Sequence, residues 1–183
     1  MSHTTRAVIL VAAGFQDEEF VYPYYRMLEE GWSVDVAAAG AEEVRGKYGV
    51  PARQNKTINA LFASDYDLVF IPGGFECPDR LRMIPDVQRF VQDMNTLGKI
   101  IASICHGPWV LISSDIVKYR KLTGYYSIKV DLRNAGATVS DDPVVRDGNL
   151  ITADHYGNNG PFMRKVIEAV NGTITRSESP HAI

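Results

Sequence analysis

Short apolar runs alternate along the chain with segments whose apolar residues recur every three or four positions. The short runs are rich in β-branched residues and are typical of strands buried on both faces, whereas the wider spacing is typical of helices. This alternation predicts an α/β fold with a mostly parallel central sheet and helices on both of its faces. We expect buried strands at residues 7–12, 32–39, 67–71 and 100–104, and helices at residues 18–30, 85–97, 127–134 and 161–170.

Capping and turn residues indicate where these elements end. Asp17 is suited to cap the helix that begins at residue 18, and Gly31 is suited to end it. The last helix is expected to stop at Asn171 and Gly172. Shorter patterns predict two hairpins, a helical turn and a short strand, at residues 44–53, 144–152, 59–64 and 122–124.

Length and charge limit the domain organisation and the classes of partner. The chain has 183 residues, 45% of them hydrophobic, which suits one domain with a complete core. We expect that domain at residues 1–172, followed by a loose polar tail at residues 173–183. The formal net charge is −3 and basic residues are not clustered, so we expect neither nucleic acid nor membrane as a partner.

Cysteine usage predicts a reducing compartment. The two cysteines, Cys77 and Cys105, do not make a disulfide framework. The apolar run at residues 7–13 has the length of a signal-peptide core, but it continues into an acidic segment and is better interpreted as a strand. We therefore expect the protein in the cytoplasm.

The strongest chemical signal is the segment at residues 99–113. An apolar strand runs into Cys105-His106-Gly107-Pro108, and a second apolar run then begins a helix with Pro108 in its first turn. This order predicts that Cys105 lies at a sharp strand-to-helix turn, the geometry of a nucleophile elbow. The amino terminus of a helix favours a thiolate beside it. A free cysteine is more often a small buried hydrophobic residue, but the turn and the adjacent histidine favour a reactive one.

Two other segments follow buried strands and are expected at the same edge of the sheet, at residues 14–19 and 73–79. Glu19 is either an ordinary solvated acid of a first helical turn or a carboxyl held against Cys105. In the second case burial would raise its pKa and allow it to move protons. The residues alone do not separate Glu19 from three neighbours, namely Glu18, Asp17 and Gln16.

Backbone amides near Cys105 are candidates for an oxyanion hole. The turn at Gly73-Gly74 leaves amides free, and the Gly74 and His106 amides are expected to face one oxyanion. The side chain of His106 is either a base or a structural histidine, since adjacent side chains at a tight turn often diverge.

No phosphate loop occurs, and metal-ligand spacing is absent from the four histidines, so we expect no cofactor and no metal; the histidines are His3, His106, His155 and His181.

The segment Ala102-Ser103-Ile104-Cys105-His106-Gly107-Pro108 resembles the nucleophile segment of the PfpI-like proteins of the ThiJ/PfpI family, within the class I glutamine amidotransferase-like superfamily. Further segments fit the same family and extend the resemblance over about residues 6–170. They are Ile71-Pro72-Gly73-Gly74, the segment 14–19 with Pro23, Gly46-Lys47-Tyr48-Gly49 and the region 134–152.

The resemblance implies a flavodoxin-like three-layer sandwich, a nucleophilic Cys105 and a carboxyl partner at Glu19. It also implies a homo-oligomer, a dimer or an assembly of dimers, in which an acid from another subunit orients His106. Asp79 matches the position of that acid, and Tyr125 matches a tyrosine that lines the pocket in some members.

The chain departs from the family pattern at three places. Gln16 stands where many relatives have a second acid. Residues 152–157 replace a Ser-Arg-x-Pro segment, so we expect His155 and Tyr156 to alter the substrate pocket, of which Gln16 and His155 are expected to be part. Cys77 is either an inert loop thiol or a redox partner of Cys105.

These observations predict a cofactor-free cysteine enzyme that acts on a small carbonyl or amide electrophile, or on a peptide. The resemblance implies the reaction of a hydrolase such as an intracellular protease, or of a glyoxalase or deglycase. The alternatives are a stress-response or redox-sensing protein in which Cys105 is oxidised, an isonitrile hydratase-like lyase, and a binding protein with a vestigial site.

Overall fold

The computed structural model of the chain describes residues 4–178, with side chains described as far as residue 173. The strands of this part are β1 (Arg6–Val11), β2 (Ser33–Ala38), β3 (Glu43–Arg45), β4 (Pro51–Arg53), β5 (Leu68–Ile71), β6 (Ile100–Ile104), β7 (Lys121–Leu122), β8 (Thr138–Val139), β9 (Val144–Asp147) and β10 (Leu150–Ala153). The helices are α1 (Asp17–Glu29), α2 (Glu76–Leu81), α3 (Pro85–Thr96), α4 (Pro108–Ser113), α5 (Lys129–Asn134) and α6 (Asn159–Glu178). Short 3₁₀ turns precede β5, α5 and α6.

A six-stranded sheet organises the molecule, in the order β2-β1-β5-β6-β10-β9. The pairings among the first five strands of this order are parallel, and only the edge strand β9 runs antiparallel to its neighbour, because it forms a hairpin with β10. The mostly parallel sheet expected from the sequence is therefore confirmed. The carboxyl ends of β1, β5, β6 and β10 lie along one edge, where the expected site segments begin.

Central strands are buried because helices cover both faces of the sheet. Residues 7–12 and every residue of β5 have no exposed surface, as expected for strands with near-continuous apolar sequence. Helices α1 and α6 contact each other, and α2, α3 and α4 form a second group of contacting helices. The packed core holds the strand ends in place, so the loops that follow them begin from fixed positions.

Local details differ from the sequence predictions at the helix ends. Asp17 does not cap α1: the cap position is Gln16, and Asp17 is the first helical residue. The segment after Gly74 was expected as a loop but contains α2, and β8 was not expected. Helix α6 continues to Glu178, past the expected stop at Asn171 and Gly172, so residues 173–178 are helical rather than a loose tail. Residues 179–183 of the expected tail lie outside the described part of the chain.

Candidate active site

Cys105 lies at the sharp turn between β6 and α4, as the sequence predicts. Its φ is +60°, a left-handed conformation that is uncommon for a residue with a Cβ atom. Two backbone hydrogen bonds hold it there: its amide donates to the Ala153 carbonyl, and its carbonyl accepts from the Tyr125 amide, both at 2.9 Å. The strained turn is thus fixed from both sides, and Cys105 is 6% exposed on the floor of a cavity.

Glu19 projects from the first turn of α1 towards Cys105 and is completely buried. Its Oε2 atom accepts a 2.7 Å hydrogen bond from the Gly73 amide, in the loop after β5. A Cβ atom added at Gly73 would lie 2.5 Å from that Oε2 atom and 2.7 Å from the Cys105 Cβ atom, so only glycine leaves room for the pair. The Oε1 atom is buried and makes no hydrogen bond of ordinary geometry within the described part of the chain.

The electrostatics of this pair favour retained protons. Burial raises the pKa of Glu19 from near 4.5 to about 8, against the lowering effect of the Gly73 amide and the Cys105 thiol. Burial and the Glu19 carboxylate also raise the pKa of Cys105, against the lowering effect of the Gly74 and His106 amides. The effect expected of the helix terminus, which favours a thiolate, is opposed here by burial and by the Glu19 carboxylate. Glu19 and Cys105 titrate as a coupled pair: after the pair loses its first proton, the two side chains share the second one.

Backbone amides face the sulfur from two loops. The amide of Gly74 comes from the loop after β5, and that of His106 comes from the elbow itself; both lower the pKa of Cys105. These are the two groups that the sequence suggested for an oxyanion hole. Their positions suit stabilisation of negative charge at the sulfur or on an atom bonded to it.

The side chain of His106 turns towards Cys105 rather than away from it. Its Nδ1 atom is 3.2 Å from the Cys105 Sγ atom, and its Nε2 atom is 3.4 Å from the hydroxyl oxygen of Ser127. Burial lowers the pKa of His106 below its ordinary value near 6.5, so the ring is neutral at pH 7. A neutral imidazole between a thiol and a hydroxyl can accept a proton from one side and donate to the other.

An open cavity of about 400 Å³ lies above Cys105. Gly74, Cys105 and His106 are exposed to this space, and Gln16, Tyr125 and His155 also line it. The three pocket residues expected from the sequence are therefore brought together. Gln16 donates a 2.7 Å hydrogen bond from its Nε2 atom to Glu18, which is exposed on α1.

Asp17 has a role that sequence analysis missed. Its carboxylate accepts hydrogen bonds of 2.9 Å from the amides of Tyr48 and Val50, in the turn of the β3–β4 hairpin. That turn also supplies Lys47 and Tyr48 to the cavity. The buried acid therefore attaches the hairpin to the beginning of α1. Ser127 was missed too, because nothing in its local sequence indicates a contact 21 residues away.

Two of the residues expected at the site, Asp79 and Cys77, make no hydrogen bond to Cys105 or His106 within the described part of one chain. Asp79 lies on the exposed side of α2 and, in the described part of the chain, makes no side-chain hydrogen bond to His106. Cys77 is a buried helix residue rather than a loop thiol: its Sγ atom accepts a 3.3 Å hydrogen bond from the Ala12 amide, and burial raises its pKa to about 12. These surroundings disfavour the reactive thiolate of Cys77.

Among the side chains of residues 4–173, no cluster of three or more His, Cys, Asp or Glu is arranged to hold a metal ion. Within residues 4–178, no helix combines the length and apolar character needed to cross a membrane.

Comparison with known proteins identifies the family. The sequence profile of the DJ-1/PfpI family matches residues 5–169. The chain belongs to the DJ-1/PfpI family. The resemblance inferred from the motifs is therefore confirmed over nearly the whole chain.

Relatives with assigned names are similar along most of their length. Deglycase PfpI of Pyrococcus furiosus is 36% identical over 163 residues, which cover 89% of this chain and 98% of that protein. YraA of Bacillus subtilis, named provisionally as a cysteine protease, is 39% identical over 149 residues, which cover 81% and 88% of the two chains.

A solved structure of a two-domain protein from Anabaena variabilis, with DJ-1/ThiJ/PfpI-like and ferritin-like domains, has a TM-score of 0.89 and 35% identity. The match covers 92% of this chain and 48% of that longer chain. The similarity therefore confirms the fold of this domain.

Proposed function

We propose that this protein is a cofactor-free cysteine enzyme that acts on 2-oxoaldehydes or their adducts with amines, as a glyoxalase or deglycase. The observation that carries the proposal is the Cys105–Glu19 pair at the floor of an open cavity, with two backbone amides facing the sulfur. The naming of Pyrococcus furiosus PfpI as a deglycase supports the same class of chemistry.

The pair supplies both a nucleophile and a proton donor. When one of its two protons has left, the pair is either a thiol beside a carboxylate or a thiolate beside a carboxylic acid. The Gly73 amide favours the carboxylate, whereas the Gly74 and His106 amides stabilise charge on sulfur, so both arrangements have backbone donors and the thiolate beside the carboxylic acid is accessible. This arrangement is the reactive form in the proposal.

The proposed reaction begins when the Cys105 sulfur adds to the aldehyde carbon. An S–C bond forms, the carbonyl π electrons move to oxygen, and the Glu19 carboxylic acid protonates that oxygen to give a hemithioacetal. Glu19, now a carboxylate, removes the hydrogen of the former aldehyde carbon, and the neighbouring ketone oxygen takes a proton from water to give an enediol. Glu19 returns its proton to the former ketone carbon, and the hydroxyl on the sulfur-bearing carbon loses its proton to solvent, which gives a thioester of a 2-hydroxy acid.

Water then cleaves the thioester, so the S–C bond breaks, the 2-hydroxy acid leaves and the sulfur is regenerated. The overall change is addition of one water to the oxoaldehyde, and no external oxidant or reductant is consumed. With an amine adduct, the C–N bond breaks first and the amine leaves with a proton. His106, neutral and in contact with the sulfur, is placed to move protons during hydrolysis.

Turnover of methylglyoxal to lactate tests this proposal. Cys105→Ala should lose about 100-fold or more of the activity, since the nucleophile is absent. Cys77→Ala is the matched control, because it removes the other cysteine, and its activity should stay within about twofold. Lactate formation by Cys105→Ala at the wild-type rate would contradict the proposal.

A second candidate is a cysteine protease, which the provisional name of YraA favours. The same sulfur would then attack a peptide carbonyl, and hydrolysis of casein or a fluorogenic peptide would depend on Cys105.

A redox sensor is distinguished by a third result: hydrogen peroxide would oxidise Cys105 selectively while no aldehyde or peptide is turned over.

A further inference from the structure

A row of contacting aromatic rings leads away from the nucleophile along one wall of the cavity. The His106 and Tyr125 rings have centroids 4.8 Å apart, and Tyr125 stacks on His155 at 6.1 Å with an interplanar angle of 25°. His155 in turn contacts Tyr156, with centroids 3.9 Å apart. The two outer rings belong to the segment in which this chain departs from the family pattern.

The outer wall is held in place by the backbone. The Nδ1 atom of His155 accepts a 3.1 Å hydrogen bond from the Gly157 amide, so in the neutral ring the proton is on Nε2. This bond fixes the orientation of the ring, and the stacking on Tyr125 keeps it in place. A ligand that uses this wall therefore meets a surface that is ordered before binding, which reduces the entropy lost on binding.

Exposed aromatic side chains also surround the mouth of the cavity. Tyr48 is 69% exposed, Phe75 is 56% exposed and Tyr156 is 39% exposed, and all three line the same space. Among the described residues that line it, Lys47 is the only Lys, Arg, Asp or Glu. Large exposed rings around one concave site indicate a ligand with planar apolar surface.

Methylglyoxal does not account for this space. Its five non-hydrogen atoms occupy roughly five water volumes, about 150 Å³, whereas the cavity is about 400 Å³. The unfilled part is bounded by the aromatic rings. A larger substrate with a planar group beyond its two carbonyl carbons would use this part of the cavity and contact the rings.

We infer that the preferred substrate is a 2-oxoaldehyde, free or as an amine adduct, whose ketone carbon carries an aromatic group that packs against Tyr125, His155 and Tyr156. This inference rests on the proposed function and specifies its substrate class. Sulfur attack at the aldehyde carbon places the ketone substituent further out along the same wall.

The test compares phenylglyoxal with methylglyoxal as kcat/KM values. Wild-type protein should prefer phenylglyoxal, and Tyr156→Ala or His155→Ala should lower the phenylglyoxal-to-methylglyoxal ratio about three- to tenfold, the range expected for one aromatic pair. Tyr156→Phe should keep the ratio. Tyr119→Ala, which removes an exposed ring that does not line the cavity, is the matched control and should also keep it.

Product inhibition is a second comparison, and it does not depend on how reactive the two aldehydes are, because the products are acids. Mandelate and lactate are the products expected from the two aldehydes. The inhibition constant of mandelate for wild type should be lower than that of lactate by about threefold or more, and this difference should be lost in Tyr156→Ala. If Cys105-dependent turnover occurs but neither ratio changes in the two alanine variants, the inference is wrong and the proposed function stands.

If Tyr156→Ala changes only the mass measured by light scattering, the ring belongs to a subunit contact and the inference is again wrong. If neither aldehyde is turned over, the proposed function fails, and the substrate assignment fails with it.

Discussion

The Oε2 atom of Glu19 lies 2.7 Å from the amide nitrogen of Gly73 and accepts its hydrogen bond. This contact ties the first turn of α1 to the loop after β5 and directs the carboxyl towards Cys105. Because the carboxyl is completely buried there, its pKa is raised to about 8. The contact therefore holds the carboxyl in the buried position that raises its pKa, although the hydrogen bond itself lowers the pKa.

The raised pKa of Glu19 makes folding stability depend on pH. The folded protein holds this proton more tightly than the unfolded chain, so the stabilisation is complete below about pH 4.5 and is lost as the pH rises towards 8. The free energy of unfolding should therefore fall over this window, with at most about 5 kcal/mol from this group. Urea unfolding at pH 5, 6, 7 and 8 measures the slope.

Glu19→Gln is the control for this slope, because it keeps the shape of the side chain and does not ionise. The lowered pKa of His106 contributes the opposite slope near pH 6.5, but it is common to both proteins. The difference between wild type and Glu19→Gln therefore isolates Glu19. Parallel stability curves for the two proteins would show that Glu19 ionises normally in the folded state.

Gly73→Ala tests the packing between Glu19 and Cys105. The added methyl group would overlap both side chains, so we expect a loss of about 1–3 kcal/mol in stability and of about tenfold or more in methylglyoxal turnover. Gly172→Ala is the control, since a Cβ atom there meets nothing within 4 Å. It should keep full activity. Equal activity of the two variants would contradict the close packing of the pair.

Asp17→Asn tests the attachment of the β3–β4 hairpin. The amide keeps one acceptor oxygen, so one of the two backbone amides of Tyr48 and Val50 loses its partner, at a cost of about 1–2 kcal/mol. KM for the aldehyde should rise while kcat changes less, because Tyr48 lines the cavity and does not contact the sulfur. Asp65→Asn, at an exposed 3₁₀ turn, should alter neither value.

The sequence predicts the sheet and the elbow well because their signals are local. Continuous apolar runs indicate buried strands, and Gly107 with Pro108 directly after a strand indicates a turn into a helix. Cys105 could therefore be placed from fifteen adjacent residues, 99–113. The family motifs then support the same assignment.

The choice of acid could not be made from the sequence because α1 begins with several polar residues. Only the packing of α1 shows that Glu19 faces the sulfur, that Asp17 faces the hairpin and that Glu18 is exposed. Ser127 lies beside His106 because the chain returns to the elbow after α4. Such contacts between distant segments have no local signal.

Asp79→Ala tests the proposal that this acid orients His106 across a contact between subunits. Asp79 is exposed on α2, so a second copy of the chain has access to it. We expect lower aldehyde turnover and a smaller mass by light scattering. Asp93→Ala, an exposed acid on α3, should change neither. A stable oligomer of Asp79→Ala with wild-type kinetics would remove Asp79 from the site.

The most direct test of the central claim, that Cys105 and Glu19 share protons as one reactive unit, is the pH dependence of Cys105 alkylation by iodoacetamide, located by mass spectrometry. In wild type the rate should rise through about pH 8, while Cys77 stays unmodified in the folded protein. In Glu19→Gln the rise near pH 8 should disappear, because the amide does not titrate and the wild-type rise belongs to the proton that the pair loses first. An unchanged midpoint, or a Cys105 as unreactive as Cys77, would contradict the account.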